Sequence, residues 1–304
     1  MTSDGGFPTF IIIGAAKAGT TSLFRYLGQH PDVFVSPVKE PRFFALEGHP
    51  LDFKGPGDEQ RLRTTTRTTL EAYRELFAGR RDERVAGEGS VLYLQHPRAA
   101  PAIARAIPDV KIVAILRDPV ERAHSGFLYH VRDEREPLPT FEEALRAEPE
   151  RIAQGWYHGW AYRDQGFYHR HLQRYLEHVD RERIHVCLHE DLDRNPHGVL
   201  AGVFRFLEVD DTFRADVSIR WNPSGRPRSR RAQRLLTGRN PVKEAVKRVI
   251  PERWGQRVID RVMTVNLERP PVAPETRAEL VAGYADDVHR LEELIGRDLT
   301  HWQR

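Results

Sequence analysis

Cysteine, lysine and long apolar runs are all scarce in this chain of 304 residues, and each scarcity excludes something. The single cysteine, Cys187, rules out an internal disulfide, and no Cys/His spacing matches a structural zinc site. No apolar run approaches the roughly 20 residues that cross a bilayer. Met1 to Pro8 lacks the charged and apolar regions of a signal peptide. A soluble, cytoplasmic protein is the expectation. Net charge is also slight: 47 basic residues against 44 acidic give +3, which does not by itself imply nucleic-acid binding. Acidic residues are interleaved almost throughout, and only Arg226 to Arg234 is a clear basic cluster. That pattern argues against an Arg-rich, non-catalytic polyanion-binding protein.

Lysine supplies only six of the basic residues, at 17, 39, 54, 111, 243 and 247. Where arginine fills nearly every ordinary surface position, a retained lysine suggests a need for a compact, mobile ammonium. Lys17 follows the apolar run Phe10-Ile11-Ile12-Ile13 in Gly14-Ala15-Ala16-Lys17-Ala18-Gly19-Thr20-Thr21-Ser22, and Lys39 opens Lys39-Glu40-Pro41-Arg42-Phe43-Phe44.

Apolar β-rich runs at Thr9 to Ile13, Val110 to Leu116 and Ile184 to Leu188, with a weaker one at Arg84 to Gly87, read as buried strands. Between them lie helical patterns at Thr20 to Leu27, Leu70 to Phe77, Arg98 to Ile107, Pro119 to His130 and Tyr162 to Val179. The alternation predicts an α/β fold, a single domain with a mostly parallel central sheet flanked by helices. Residues 1–195 would form its nucleotide-binding core and residues 196–304 a mainly helical C-terminal part, ending in a helix from Pro274 to Ile295. Two stretches, 47–69 and 222–238, read as long loops, mobile or binding.

The first motif has a mechanism. A strand that ends in a glycine-containing turn and opens a helix presents backbone N–H groups and the helix dipole to an anion. Gly14 and Gly19 permit close approach, Thr20, Thr21 and Ser22 add hydroxyls, and Lys17 adds a point charge. The spacing is not that of a Walker A loop, whose lysine follows the second glycine. A P-loop kinase would also need a strand-end Asp for Mg²⁺, so that reading ranks second. The bland alternative is an ordinary strand–helix turn with Thr20 as its cap. A second anion site is suggested by Leu116-Arg117-Asp118-Pro119-Val120-Glu121-Arg122-Ala123-His124-Ser125. Asp118, Pro119 and Glu121 are explained as a capping box with proline at the first helical position. Arg117 and Ser125 are left over, about 10 Å apart along the helix, as a monophosphate clamp.

These residues resemble the sulfotransferases that use 3′-phosphoadenosine-5′-phosphosulfate (PAPS), close to the carbohydrate branch that includes heparan sulfate sulfotransferases, and here as a bacterial member. Gly14-x-x-Lys17-x-Gly19-Thr20-Thr21-Ser22-Leu23 is similar to the family's 5′-phosphosulfate loop. His30-Pro31-Asp32-Val33 with Lys39-Glu40-x-x-Phe43-Phe44 is similar to its next block. Leu116-Arg117-Asp118-Pro119-x-x-Arg122-Ala123-x-Ser125 resembles its 3′-phosphate site. Weaker echoes are Glu88-Gly89-Ser90-x-x-Tyr93, Gly166-Phe167-Tyr168, Glu190-Asp191-Leu192 and Gly296-Arg297-Asp298-Leu299-x-x-Trp302. The resemblance implies a P-loop-like phosphosulfate loop formed by Lys17, Ala18, Gly19, Thr20, Thr21 and Ser22. It makes Lys17 the stabiliser of charge on the bridging oxygen, Glu40 the general base, and Arg117 and Ser125 the 3′-phosphate ligands. Arg226, in Gly225-Arg226-Pro227-Arg228, would belong to a loop closing over the nucleotide. No metal is required in principle. The acceptor would be a hydroxyl of a carbohydrate, glycolipid or secondary metabolite.

The pattern also departs from the family. Gly89 stands where some members place a lysine, Arg42 where some carry a histidine, and the C-terminal cysteine pair of several extracellular members is absent. Glu40 could instead pair with Lys39 or Arg42. As a base it would be tuned upward by burial near Phe43 and Phe44 and downward by Lys17. His124, His130 and His158 are alternative bases. His130 and Trp156-Tyr157-His158-Gly159-Trp160 could line an acceptor cleft or pack beneath a loop.

Overall fold

The structure is a computed structural model that describes residues 6–219, 226–227 and 267–304. Of the stretch 222–238, only the backbone of Arg226 and Pro227 falls within the described residues, and the side chain of Arg226 lies outside them. Five parallel strands form one sheet: β1 (Phe10–Gly14), β2 (Val33–Val35), β3 (Val85–Gly89), β4 (Lys111–Leu116) and β5 (Ile184–Leu188). Their order is β2-β3-β1-β4-β5. Phe10 lies opposite Gly87 on one side and Lys111 on the other, and all of β1 is buried. A continuous Phe-Ile-Ile-Ile run suits a strand covered on both faces.

Helix α1 (Thr20–Leu27) leads from β1 to the edge strand β2. The chain then passes through α2 (Phe43–Leu46), α3 (Asp58–Thr65) and α4 (Leu70–Arg74) and returns to β3, beside β1. From there α5 (Ala99–Ala106) carries it across to β4 on the opposite flank. The connections after β1 and β4 thus run to opposite sides, which opens a crevice beyond their carboxyl ends. The remaining helices are α6 (Pro119–Arg132), α7 (Phe141–Ala153), α8 (Tyr168–Leu176), α9 (His189–Arg194), α10 (Pro196–Leu207) and α11 (Pro274–Ile295). A short antiparallel pair, β6 (Arg226–Pro227) with β7 (Leu267–Glu268), lies between α10 and α11 in the chain order.

Several elements differ from the sequence reading, the short β2, α2 and α9 among them. The expected helix from Tyr162 starts only at Tyr168, after a 3₁₀ turn at Asp164–Gly166. A Cβ on Gly166 would lie 2.7 Å from the Tyr284 ring, so the turn is pressed against α11. Asp287 of α11 then accepts from the N–H groups of His169 and Arg170, both at 2.9 Å, and caps α8 from a distance. The stretch 47–69 is not a loop throughout, because it contains α3. Finally, α7 carries Pro149 in its interior, yet Thr140 caps it and Phe141, Ala144 and Leu145 are buried.

Candidate active site

Beyond the carboxyl ends of β1 and β4 lies a cavity of about 720 Å³. The β1–α1 loop forms one wall. Gly19 caps α1 in the left-handed region at φ 100°, and no side chain caps the first turn, so Thr20 is not the cap. A Cβ on Gly19 would come within 3.2 Å of His189 Nδ1. Both the positive φ and the close approach therefore require glycine. Thr20, Thr21 and Ser22 line the cavity with Lys17 and Gly19, so the positive end of α1 faces it. Ala18 is fully buried and spaces the loop, its N–H donating to the Ala15 carbonyl at 3.3 Å.

Lys17 occupies the left-handed region at φ 66°, and its Nζ sits 4.3 Å from the centroid of the Tyr129 ring. Burial, with Arg132, Arg117 and Arg61 nearby and only Asp133 opposing, drops its ammonium to a pKa of about 7. Arg117 grips the same loop, donating from Nη1 to the Lys17 carbonyl at 3.1 Å. Burial pulls the Arg117 guanidinium down to about 10, still charged at neutral pH. Asp118 caps α6 as predicted, accepting from Val120 N and Glu121 N. Glu121 does not complete a capping box: its carboxylate is taken by Arg269 at 2.5 Å and by Arg277. Ser125 lies on α6 with no exposed surface and does not line the cavity, whereas its neighbour Gly126 does.

Glu40 reaches the cavity from the connection after β2. It too has a positive φ, 68°, and its N–H donates to the Gly89 carbonyl at 2.9 Å. Its carboxylate accepts from Lys39 Nζ at 2.7 Å and from Val91 N at 3.1 Å, with Arg42 Nη2 at 3.5 Å. Burial pushes its pKa up, but Lys39, Arg42 and these hydrogen bonds outweigh burial and hold it below the ordinary value. The largest tuning cations are therefore Lys39 and Arg42. Lys39 Nζ also reaches Thr20 Oγ1 at 3.5 Å, tying the carboxylate to the start of α1.

Beneath this turn, Ser90 Oγ accepts from Arg42 N at 3.0 Å and donates to the buried Glu88 at 2.9 Å. Burial lifts Glu88 to a pKa of about 7, its nearest donors being hydroxyls. The family-like Glu88-Gly89-Ser90 stretch thus supports the Glu40 turn through backbone and hydroxyl contacts.

The far wall combines His130 and part of the 156–160 cluster, which the sequence offered for an acceptor cleft, with residues it did not single out. Asp58 and Arg61 of α3, Tyr129, His130, Arg135 and Tyr157 line it. Asp58 is buried, paired with Arg135 and accepting from Trp160 Nε1 at 2.9 Å and Tyr157 N at 3.1 Å. Of the aromatic cluster, Tyr157 and Gly159 line the cavity while Trp160 packs fully buried behind them. Of the candidate histidine bases, only His130 lines the cavity. Burial and surrounding arginines hold it well below its ordinary pKa, and Nδ1 lies 2.8 Å from the Tyr162 hydroxyl. His124 is buried against Phe141 instead.

The sulfotransferase family model matches residues 8–213, which carry the Lys17 loop, the Glu40 turn and Arg117. The chain belongs to the sulfotransferase family. It is 38% identical to the sulfotransferase from Alicyclobacillus acidocaldarius, with a TM-score of 0.77 and coverage of 98% of this chain and 99% of that one. It is 30% identical over 200 residues to the human heparan sulfate glucosamine 3-O-sulfotransferase 3B1, covering 66% of this chain and 46% of that protein. It is 27% identical over 239 residues to the bifunctional heparan sulfate N-deacetylase/N-sulfotransferase 1 of Caenorhabditis briggsae, covering 73% of this chain and 25% of that protein. The sulfotransferase thus spans a quarter to under a half of the length of these two curated relatives. No helix among the described residues is long and apolar enough to cross a membrane.

Proposed function

We propose that this sulfotransferase moves the sulfuryl group of PAPS to a hydroxyl of a carbohydrate, glycolipid or secondary-metabolite acceptor. The observation that carries the reading is the division of one cavity. The uncapped start of α1, Lys17 and Arg117 lie at one side, and the Glu40 carboxylate lies within the same enclosure on a different cation. The donor's phosphosulfate fits the α1 end, where glycine permits backbone approach and positive potential is already in place. Arg117 and Arg226 are assigned to the nucleotide; of the residues the sequence offered for this part of the donor, Arg117 alone lines the cavity among the described residues, and Ser125 is enclosed behind it.

In the reaction, the acceptor oxygen forms a bond to sulfur as the bond from sulfur to the bridging oxygen breaks. The acceptor proton passes to Glu40, and 3′-phosphoadenosine-5′-phosphate (PAP) departs. Lys17 stabilises the negative charge that grows on the bridging oxygen. Positioning in line supplies much of the remainder. A low pKa keeps Glu40 ionised and available at neutral pH, at some cost in basicity. Heparan sulfate relatives, together with the Lys39-Glu40 block, support a carbohydrate hydroxyl as acceptor. Glu40→Gln tests the base: turnover of PAPS with acceptor should fall by about 10²-fold or more, with PAP affinity within a few-fold of the parent. Normal turnover in that variant would remove Glu40 from its role.

A further inference from the structure

Lys17 is the group on which the donor reading rests, yet its ammonium makes no hydrogen bond or ion pair among the described residues. What meets it is the Tyr129 ring, 4.3 Å from Nζ to the centroid. The guanidinium carbons of Arg61 and Arg132 each lie 4.8 Å from the same centroid. Three cations from three separate segments therefore converge on one half-buried aromatic ring at the cavity wall. Cations so gathered repel one another. Asp133 offsets part of that repulsion, accepting from Arg61 at 3.1 Å and from Arg132 at 3.0 Å. Its carboxylate is thereby committed to the arginines. The ring supplies Lys17 with the negative π-face that no carboxylate supplies.

We infer that Tyr129 is a positioning residue, which seats the Lys17 ammonium at the donor side of the cavity while Lys39 and Arg42 neutralise Glu40. This rests on the reading of Lys17 as the phosphosulfate ligand. The geometry explains why the two active-site lysines are not interchangeable. An ammonium bound to Glu40 would have to leave it before serving the donor, whereas one resting on a ring gives up a diffuse contact. Tyr129 can act in this way because α6 is fixed at its start by the Asp118 cap and by the hold of Arg269 and Arg277 on Glu121. No hydrogen bond to the Tyr129 hydroxyl is formed among the described residues, so the ring is the working part.

Lys17 titrates near pH 7, so a modest loss of support changes its charge at neutrality. The charged groups acting on it are Arg61 from α3, Arg117 from the β4–α6 connection, and Arg132 and Asp133 at the end of α6. Removing the ring leaves the Asp133 contacts of Arg61 and Arg132 and the Arg117 hydrogen bond to the Lys17 carbonyl, and it weakens the protonated form of Lys17. Its midpoint should therefore move to lower pH.

Six lysines make the test direct. In the full chain labelled with ¹³Cε-lysine, the Lys17 resonance is assigned by its loss in Lys17→Arg and followed from pH 5 to 10. Tyr129→Phe should titrate as the parent does. Tyr129→Leu should show a midpoint lower by about half a pH unit, with PAP binding at pH 7 weakened about three- to tenfold. Circular dichroism and melting establish that each variant is folded, and Tyr129→Met replaces the leucine variant if that one is not. An unchanged Lys17 midpoint and PAP affinity in a folded aliphatic variant would overturn the inference. Equal loss in Tyr129→Phe would overturn it too, by placing the effect on the hydroxyl. Failure of the parent to bind PAP strikes the donor reading instead, and the Lys17 titration would still judge Tyr129.

Discussion

Two ammonium groups stand at one cavity, and their different neighbours set different duties. Lys39 holds Glu40 at 2.7 Å and keeps it ionised, whereas Lys17 rests on an aromatic face and is drawn toward neutrality by burial. Lys39→Met removes the strongest influence opposing burial at Glu40. Its carboxyl pKa should rise, and the acid limb of the pH–rate profile should move to higher pH. Lys17→Met carries a stability prediction with a definite sign. A lysine whose folded pKa is depressed disfavours folding most below pH 7, where both states are protonated and the buried charge is carried. Between about pH 7 and the ordinary lysine value the folded state sheds that proton first, and the penalty fades. Lys17→Met should therefore raise the melting temperature more at pH 6 than at pH 9, as calorimetry at the two pH values would show. At this scale the sequence was informative where a residue stood out from its background. Lys17 and Lys39 did so in a chain that otherwise uses arginine, and Arg117 did so as a residue that capping left unexplained. Tyr129, Arg61 and His189 carried no such mark, because a tyrosine or arginine on a helix acquires its role only from what packs opposite it.

Elements built on apolar periodicity could be read in advance, and polar ones could not. Strands β1, β4 and β5 lie within one residue of their predicted places, since apolar β-rich runs have few other uses, and β3, Val-Ala-Gly-Glu-Gly, lies within two of its weaker signal. Helix α3 is Asp-Glu-Gln-Arg-Leu-Arg-Thr-Thr, with one apolar side chain, and no period betrays it. Its place is set by Asp58, which binds Trp160 Nε1, Tyr157 N and Arg135 from segments about 80 to 100 residues away. Asp58→Ala leaves a partly buried guanidinium and two N–H donors without their acceptor, at a cost of about 2–4 kcal/mol. Asp58→Asn retains an acceptor and should lose less. Chemical denaturation of the two variants orders them. A smaller loss in Asp58→Ala than in Asp58→Asn would show that α3 is held otherwise. Because Arg61 rides on α3, both variants should also weaken PAP binding or turnover.

At the scale of the molecule, the strand order places the chemistry. Loops after β1 and β4 meet because their connections run to opposite flanks, and the turn after β2 joins them beside β3. The sequence showed an alternating α/β pattern, but it held no information on which strand would take the centre. That order depends on crossover geometry rather than on local propensity. A ligand that fits the α1 end and Arg117 together ties β1 to β4. PAP at about a hundred times its Kd should raise stability by about 2.7 kcal/mol, visible as a shift in melting temperature. Arg117→Ala should lose most of that shift. Retention of the full shift in Arg117→Ala would place the nucleotide elsewhere.

The donor is the centre of the account, and calorimetric binding of PAP, with ADP and ATP–Mg²⁺ as controls, tests it without knowledge of the acceptor. The account predicts tight binding of PAP, much weaker binding of ADP because it lacks the 3′-phosphate, and a further loss for PAP in Arg117→Ala. Preference for ATP–Mg²⁺, or equal affinity for PAP and ADP, would contradict it.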